Sequence, residues 1–218
     1  MGPLLRVEAL YKSYGKEAVL EDFSLQADRG EIIGLVGENG AGKSTLLKII
    51  ATLNRPTSGE VYLDEYSYEN HYKKLRRKIG YVSQEVELWE ALTVMENMKF
   101  FEKLSPVNRS VSELKALLSE LHLEKYNTRV SRLSGGMKRK LNLAISLIHE
   151  PELLLLDEPT AGIDLKSRIE IGKFLKGLSG KGTLIIYTSH DMTEIKELCD
   201  RTIFIGKDPF YKNILAAD

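Results

Sequence analysis

Three short stretches of the sequence carry side chains whose types and spacing suit chemistry on a phosphorylated ligand. The first, Gly37-Glu38-Asn39-Gly40-Ala41-Gly42-Lys43-Ser44, fits the pattern G-x-x-x-x-G-K-[ST]. Glycines let backbone N–H groups approach anionic oxygens closely, and a helix N-terminus adds favourable dipole charge. Lys43 would then reach the β- and γ-phosphates of a nucleoside triphosphate, while Ser44 offers its hydroxyl to Mg²⁺ and Thr45 a neighbouring one. The bland alternative is a glycine-rich turn with an incidental lysine, which the flanking pattern disfavours. The second stretch, Leu153-Leu154-Leu155-Leu156-Asp157-Glu158, ends an all-leucine run in two carboxylates. Asp157 would hold Mg²⁺ directly or through water, and Glu158 would polarise an attacking water. The third, Leu133-Ser134-Gly135-Gly136, opens a run with helical apolar spacing at Leu141, Ile145 and Ile148. It forms a second anion-friendly helix N-terminus, where Ser134 either caps the helix or hydrogen-bonds a phosphate. His190 follows an apolar run in Tyr187-Thr188-Ser189-His190-Asp191, and such a histidine is either a structural hydrogen-bonding group or a γ-phosphate contact.

Positioning these groups requires strands that end where helices begin. Ile32–Val36 is a continuous apolar run of the kind a buried strand shows, and after Gly42 helical spacing at Leu46, Leu47, Ile49, Ile50 and Leu53 runs to Asn54-Arg55-Pro56. Leu4–Leu10 and Val19–Gln26 read as β structure on either side of Ser13-Tyr14-Gly15-Lys16. From Thr93 to about Leu121 the pattern becomes helical, broken at Ser105-Pro106-Val107-Asn108, and a helix is expected from about Met137 to Ile148. Leu153–Leu156 and Thr183–Tyr187 read as central parallel strands with helices between them, so the core is α/β.

Composition bounds the rest. With 218 residues, 31 Lys+Arg against 31 Asp+Glu, and 43% hydrophobic positions, the chain suits one domain or one domain with a sizeable subdomain. Its net charge gives no global field toward nucleic acid or membrane. The single cysteine, Cys199, forms no intrachain disulfide and fits a reducing compartment. The first ten residues carry Arg6 and Glu8 and do not read as a signal peptide. No apolar run approaches the roughly 20 residues that span a bilayer as a helix, so a membrane role requires another polypeptide to cross.

The three stretches resemble the Walker A, Walker B and signature motifs, respectively, of ATP-binding cassette (ABC) ATPases, and the resemblance covers nearly the whole chain. It adds Tyr14 as the aromatic that stacks on adenine, although Tyr11 lies three residues earlier and either tyrosine suits the core. It also adds Gln84 of Tyr81-Val82-Ser83-Gln84 as the Q-loop, Ala161-Gly162-Ile163-Asp164 as the D-loop, and His190 as the switch histidine. The implied fold is a P-loop NTPase of ABC ATPase type, with an N-terminal antiparallel β subdomain and an α-helical subdomain inserted at about 85–135 in a single domain over 1–218. The implied catalytic residues are Glu158, His190 and Gln84. ATP would be held by Tyr14, Gly37, Glu38, Asn39, Gly40, Ala41, Gly42, Lys43, Ser44 and Thr45, and across a dimer by Ser134, Gly135, Gly136 and Asp164. Mg²⁺ would be held by Ser44, Gln84 and Asp157. The implied partners are a second cassette, in a homodimer or heterodimer, and a separate transmembrane permease that places the chain on the cytoplasmic face of the membrane. Similarity is greatest to ABC-2-type export ATPases.

Met137 stands where the commonest family pattern has glutamine, which implies altered detail at the nucleotide interface with hydrolysis retained. Residues 84–97 look like the region that receives a permease helix, where Trp89, Leu92, Phe100 and Phe101 form an apolar groove or belong to the helical core. The competing function is a soluble ABC ATPase acting on nucleic acid or ribosomes. The basic runs Lys73–Lys78 and Lys138–Lys140 lack interleaved stacking aromatics and read as solvated helix faces, so no nucleic-acid partner is expected.

Overall fold

The structure, a computed structural model, describes residues 2–208 and 210. Strands β1 (Leu5–Tyr14) and β2 (Glu17–Ala27) form an antiparallel hairpin whose turn places Gly15 at φ 62°, a backbone conformation that suits glycine. β4 (Ser58–Leu63) and β5 (Tyr66–Ser67) complete a four-stranded sheet of order β2-β1-β4-β5, with β3 (Ile32–Val36) belonging elsewhere. The hairpin strands are longer than the apolar runs at 4–10 and 19–26, because bulges near Ala9 and Tyr11 let exposed residues continue the pairing.

A five-stranded parallel sheet carries the core. Its members β6 (Ile79–Val82), β7 (Leu153–Asp157), β8 (Leu184–Thr188), β3 and β9 (Arg201–Phe204) lie in that order. Every residue of β3, β7 and β8 is buried, as both faces of the sheet are covered. The four leucines of β7 divide by strand alternation. Leu153 and Leu155 pack with α1 (Lys43–Ile50) and the antiparallel sheet, while Leu154 and Leu156 face the helices on the other side.

α2 (Tyr68–Leu75) precedes β6 and carries Lys73 and Lys74 exposed, as expected, while Arg76–Lys78 form a short 3-10 turn in which Lys78 is half-buried and ion-paired. Between β6 and β7 stand α3 (Val94–Leu104), α4 (Val111–Glu120) and α5 (Gly135–Ser146). α3 and α4 each start at a capping box, Thr93 with Glu96 and Ser110 with Glu113, and the chain breaks between them at the expected Ser105-Pro106. α6 (Leu165–Gly180) and α7 (Met192–Leu198) complete the α/β alternation.

Two expectations are corrected. The first helix stops at Ile50, because Thr52 adopts φ 61° and the chain closes back through Leu53 N–H to Lys48 O, leaving Leu53 exposed. The run Lys138–Lys140 is no solvated face. Lys140 is 4% exposed and pairs with Glu170 of α6, and Arg139 is half-buried.

A four-member ion network fastens the antiparallel sheet beneath the parallel one. Asp64, in the β4–β5 turn, and Glu152, before β7, each pair with Arg29 and Lys78, which precede β3 and β6.

Candidate functional site

β3 delivers the chain to residues 37–42, and α1 begins at Lys43. Gly37 has no alternative, since a Cβ there would lie 1.9 Å from the carbonyl oxygen of Ile205. Gly42 stands at φ 100°, and a Cβ would press on Val19 and Leu20 of the hairpin. Lys43 is 7% exposed; its Nζ donates to Gly37 O at 2.7 Å and Glu38 O at 3.0 Å. Burial pushes the Lys43 ammonium down, against the attraction of Glu158, Asp157 and Glu38. The Glu38 carboxylate turns away and accepts from Lys207 N–H at 3.0 Å, which leaves only its backbone toward the loop.

At the end of β7, Asp157 Oδ1 accepts from the hydroxyl of Ser44 at 3.1 Å and from that of Thr188 at 3.1 Å. Thr188 in turn accepts from Glu158 N–H at 2.9 Å. Glu158 itself sits at φ 49°, an uncommon conformation for a residue with a Cβ, and one that turns the chain at the sheet edge. Its carboxylate receives Gln84 Nε2 at 3.0 Å on one oxygen and lies 2.6 Å from His190 Nε2 on the other. Asn39, Gly40, Gly42, Lys43, Ser44, Thr45, Gln84, Glu158 and His190 line one open cleft of about 400 Å³.

Nine expected residues stand outside that lining: Gly37, Glu38, Ala41 and Asp157 lie beside it in the loop or at the end of β7, and the other five lie elsewhere. Tyr14 is 51% exposed at the end of β1, where Asn54 donates to its hydroxyl and Lys12 lies over its ring. Ser134 caps α5, accepting from Met137 N–H at 3.3 Å, with Ser134 and Gly135 exposed. Gly136 is buried, and a Cβ there would meet Ser167 Oγ at 2.3 Å. Asp164 caps α6, accepting from Ser167 N–H at 2.9 Å and Ser167 Oγ–H at 2.7 Å. Of the four apolar groove residues, Trp89 and Phe100 are 56% and 40% exposed and pack edge to face. Leu92 is half-buried, and Phe101 packs partly on the core while lining an open groove with Leu104, Pro106, Ile145 and Ile148.

Two residues at the site escaped the sequence reading. Thr188 is fully buried, and the only signal was a hydroxyl at the end of an apolar run. Arg139 reaches Ser83 O, beside Gln84, from α5. The donor set at Asp157 suits Mg²⁺, which takes hard oxygen ligands from one or two carboxylates and completes its shell with water and substrate phosphates. A carboxylate flanked by hydroxyls at a phosphate loop offers that.

A glycine-rich turn from a buried parallel strand into a helix, with an acidic strand end beside it, defines a P-loop NTPase. A sequence profile described as "ABC transporter" matches residues 20–161, and the chain belongs to that family. It is 39% identical over 201 residues to a linearmycin resistance ATP-binding protein of Bacillus subtilis (strain 168), a match covering 91% of this chain and 65% of that protein. A Nod factor export ATP-binding protein I of Rhizobium johnstonii is 42% identical over 193 residues, covering 87% and 62%. The chain thus spans less than two thirds of these relatives' own length. Among solved structures, a dimeric ATP-binding cassette, MJ0796, in a post-hydrolysis state bound to ADP and Pi superposes with a TM-score of 0.83 at 30% identity, covering 93% of this chain and 94% of that one.

Proposed function

We propose that this chain is the ATP-binding and ATP-hydrolysing subunit of an ABC transporter that works with a separate membrane permease, in the direction of export. The observation that carries this reading is the convergence of Lys43, Ser44, Gln84 and His190 around Glu158 in one cleft, with the buried Asp157 hydrogen-bonded to Ser44 behind it. Backbone N–H groups of 37–42 and the start of α1 bind the triphosphate. Lys43 exchanges its two loop carbonyls for phosphate oxygens. Glu158 accepts a proton from the attacking water, which Gln84 and His190 orient through their contacts with its carboxylate. Ser44, Asp157 and Gln84 would hold Mg²⁺, which would supply charge neutralisation to the phosphates.

Ser134, Gly135 and Asp164 lie outside their own chain's cleft, which supports a head-to-tail pair in which the signature of each cassette closes the ATP site of the other. Tyr14 supplies an adenine platform at the rim. Residues 1–218 then fall within one ABC ATPase domain, with 85–135 as the helical part that follows the permease. The exposed Trp89–Phe100 pair and the groove beside Phe101 support docking of an amphipathic permease segment, which holds the chain at the cytoplasmic face of the membrane. The name of the Nod factor export relative supports the direction. No observation favours the nucleic-acid reading.

The test is association, followed by sedimentation of a Glu158→Gln variant alone and with any cassette or membrane protein that co-purifies. ATP is expected to drive a two-cassette complex that falls apart when ATP is removed, and Ser134→Arg on both cassettes is expected to abolish it. Association indifferent to ATP and to Ser134 overturns the head-to-tail reading.

A further inference from the structure

Residues 83–92 run from the nucleotide cleft to the exposed Trp89, and they are held at both ends. At the far end, the buried Asn97 of α3 accepts from Trp89 N–H at 3.0 Å and donates to Trp89 O at 3.1 Å. Ser131 N–H donates to Glu90 O at 3.0 Å, and Val130 N–H to Leu92 O at 2.9 Å. At the near end Gln84 donates to Glu158. The remaining ties come from the first turns of α5, where Lys138 pairs with Glu90 and Arg139 Nη1 donates to Ser83 O at 3.3 Å.

Arg139 is unusual among these. It is half-buried, and no carboxylate of the described residues lies within ion-pair distance of it. Burial pushes its guanidinium down, and the charge of Glu158 opposes that shift, so the cation sits in the electrostatic reach of the carboxylate that Gln84 holds. A half-buried cation without a paired anion carries a desolvation cost, which here is offset through a backbone carbonyl next to Gln84 and the field of Glu158.

We propose that Arg139 is a positioning residue for hydrolysis: from α5 it fixes the Ser83 carbonyl, and so sets Gln84 on Glu158. One helix then serves two sites. Its capped N-terminus at Ser134 faces the second cassette, while Arg139, one turn further on, aligns the water site of its own chain. Engagement of the signature by a partner's ATP is thereby passed to the cis carboxylate through a single rigid element. The bond to Ser83, at 3.3 Å, is at the long end of the N–H···O range. This inference rests on the proposed ATPase reading.

The experiment measures kcat and KM for ATP in the purified chain with its partners, for wild type, Arg139→Met, Arg139→Lys and Glu158→Gln. The emission of Trp89, the single tryptophan, reports on the 83–92 segment. Arg139→Met is expected to lower kcat about ten- to a hundredfold while KM moves by less than about threefold, as misplacement of a catalytic group does. It is also expected to blunt the ATP-induced change in Trp89 emission. Arg139→Lys keeps one charged donor and is expected to recover part of both. If Arg139→Met does not fold, Arg139→Gln is read by the same criteria. Wild-type kcat with an unchanged Trp89 response overturns the proposal, as does a parallel fall in kcat, ATP affinity and melting temperature, which marks a structural role. Retained turnover in Glu158→Gln overturns instead the ATPase reading beneath it.

Discussion

Gly37 and Gly136 are both crowded, but by different neighbours, and the difference decides what a methyl group does at each. At Gly37 the obstacle is the backbone carbonyl of Ile205, a residue whose N–H donates to Val36 O at 2.8 Å and so holds that stretch of backbone against the loop. At Gly136 the nearest atom is the hydroxyl of Ser167, with its Cβ at 2.7 Å, and a side chain can partly turn aside. Gly37→Ala is therefore expected to cost about 3 kcal/mol and Gly136→Ala about 1–2 kcal/mol by urea unfolding, the usual span for overpacking. The reverse order would show that the carbonyl of Ile205 is mobile. Gly37, Lys43 and Ser44 were legible because a phosphate loop is contiguous in sequence. Thr188 was not, since its meaning comes from Asp157, 31 residues away, and Arg139 reaches a carbonyl 56 residues away.

Strands β3, β7 and β8 were legible as uninterrupted apolar runs because they are covered on both faces. β6 begins Ile-Gly-Tyr-Val and β9 is four residues at the sheet edge, so neither carries enough apolar signal to be read before its neighbours are known. The capping boxes of α3 and α4 make the insertion's helices dependent on single side chains. Thr93→Ala is expected to destabilise by about 1 kcal/mol, measured by urea unfolding.

The ion network gives the junction of the two sheets a pH dependence. Burial pushes the Glu152 carboxyl up, but hydrogen bonds from Lys78 and Arg29 outweigh it and hold the group below its ordinary value of 4.5. A carboxylate depressed on folding contributes stability above its unfolded-state value and loses it as pH falls through the lower folded-state one. Wild type is thus expected to exceed Glu152→Gln by no more than about 1 kcal/mol at neutral pH, discounted for the partial exposure of all four partners. The gap is expected to close below about pH 4, and a gap that persists in acid would assign the contribution to packing.

The whole molecule divides its chemistry between two surfaces. One cleft gathers Lys43, Ser44, Gln84, Glu158 and His190, while Ser134 and Asp164 are spent locally as helix caps and wait outside it. The family resemblance already assigned Ser134 and Asp164 to the far side of a dimer, and the fold leaves both outside the cleft that Glu158 lines. Met137 remains inside α5, packed on the core and giving only its backbone N–H to Ser134, which fits a signature whose polar contacts survive the loss of glutamine. The most direct measurement is ATP turnover by the isolated chain, alone and with any membrane protein that co-purifies, comparing wild type with Glu158→Gln at matched ATP occupancy. A loss of about 10²- to 10⁴-fold with ATP binding retained is expected of a removed general base. Equal turnover in the two proteins would contradict hydrolysis at this site.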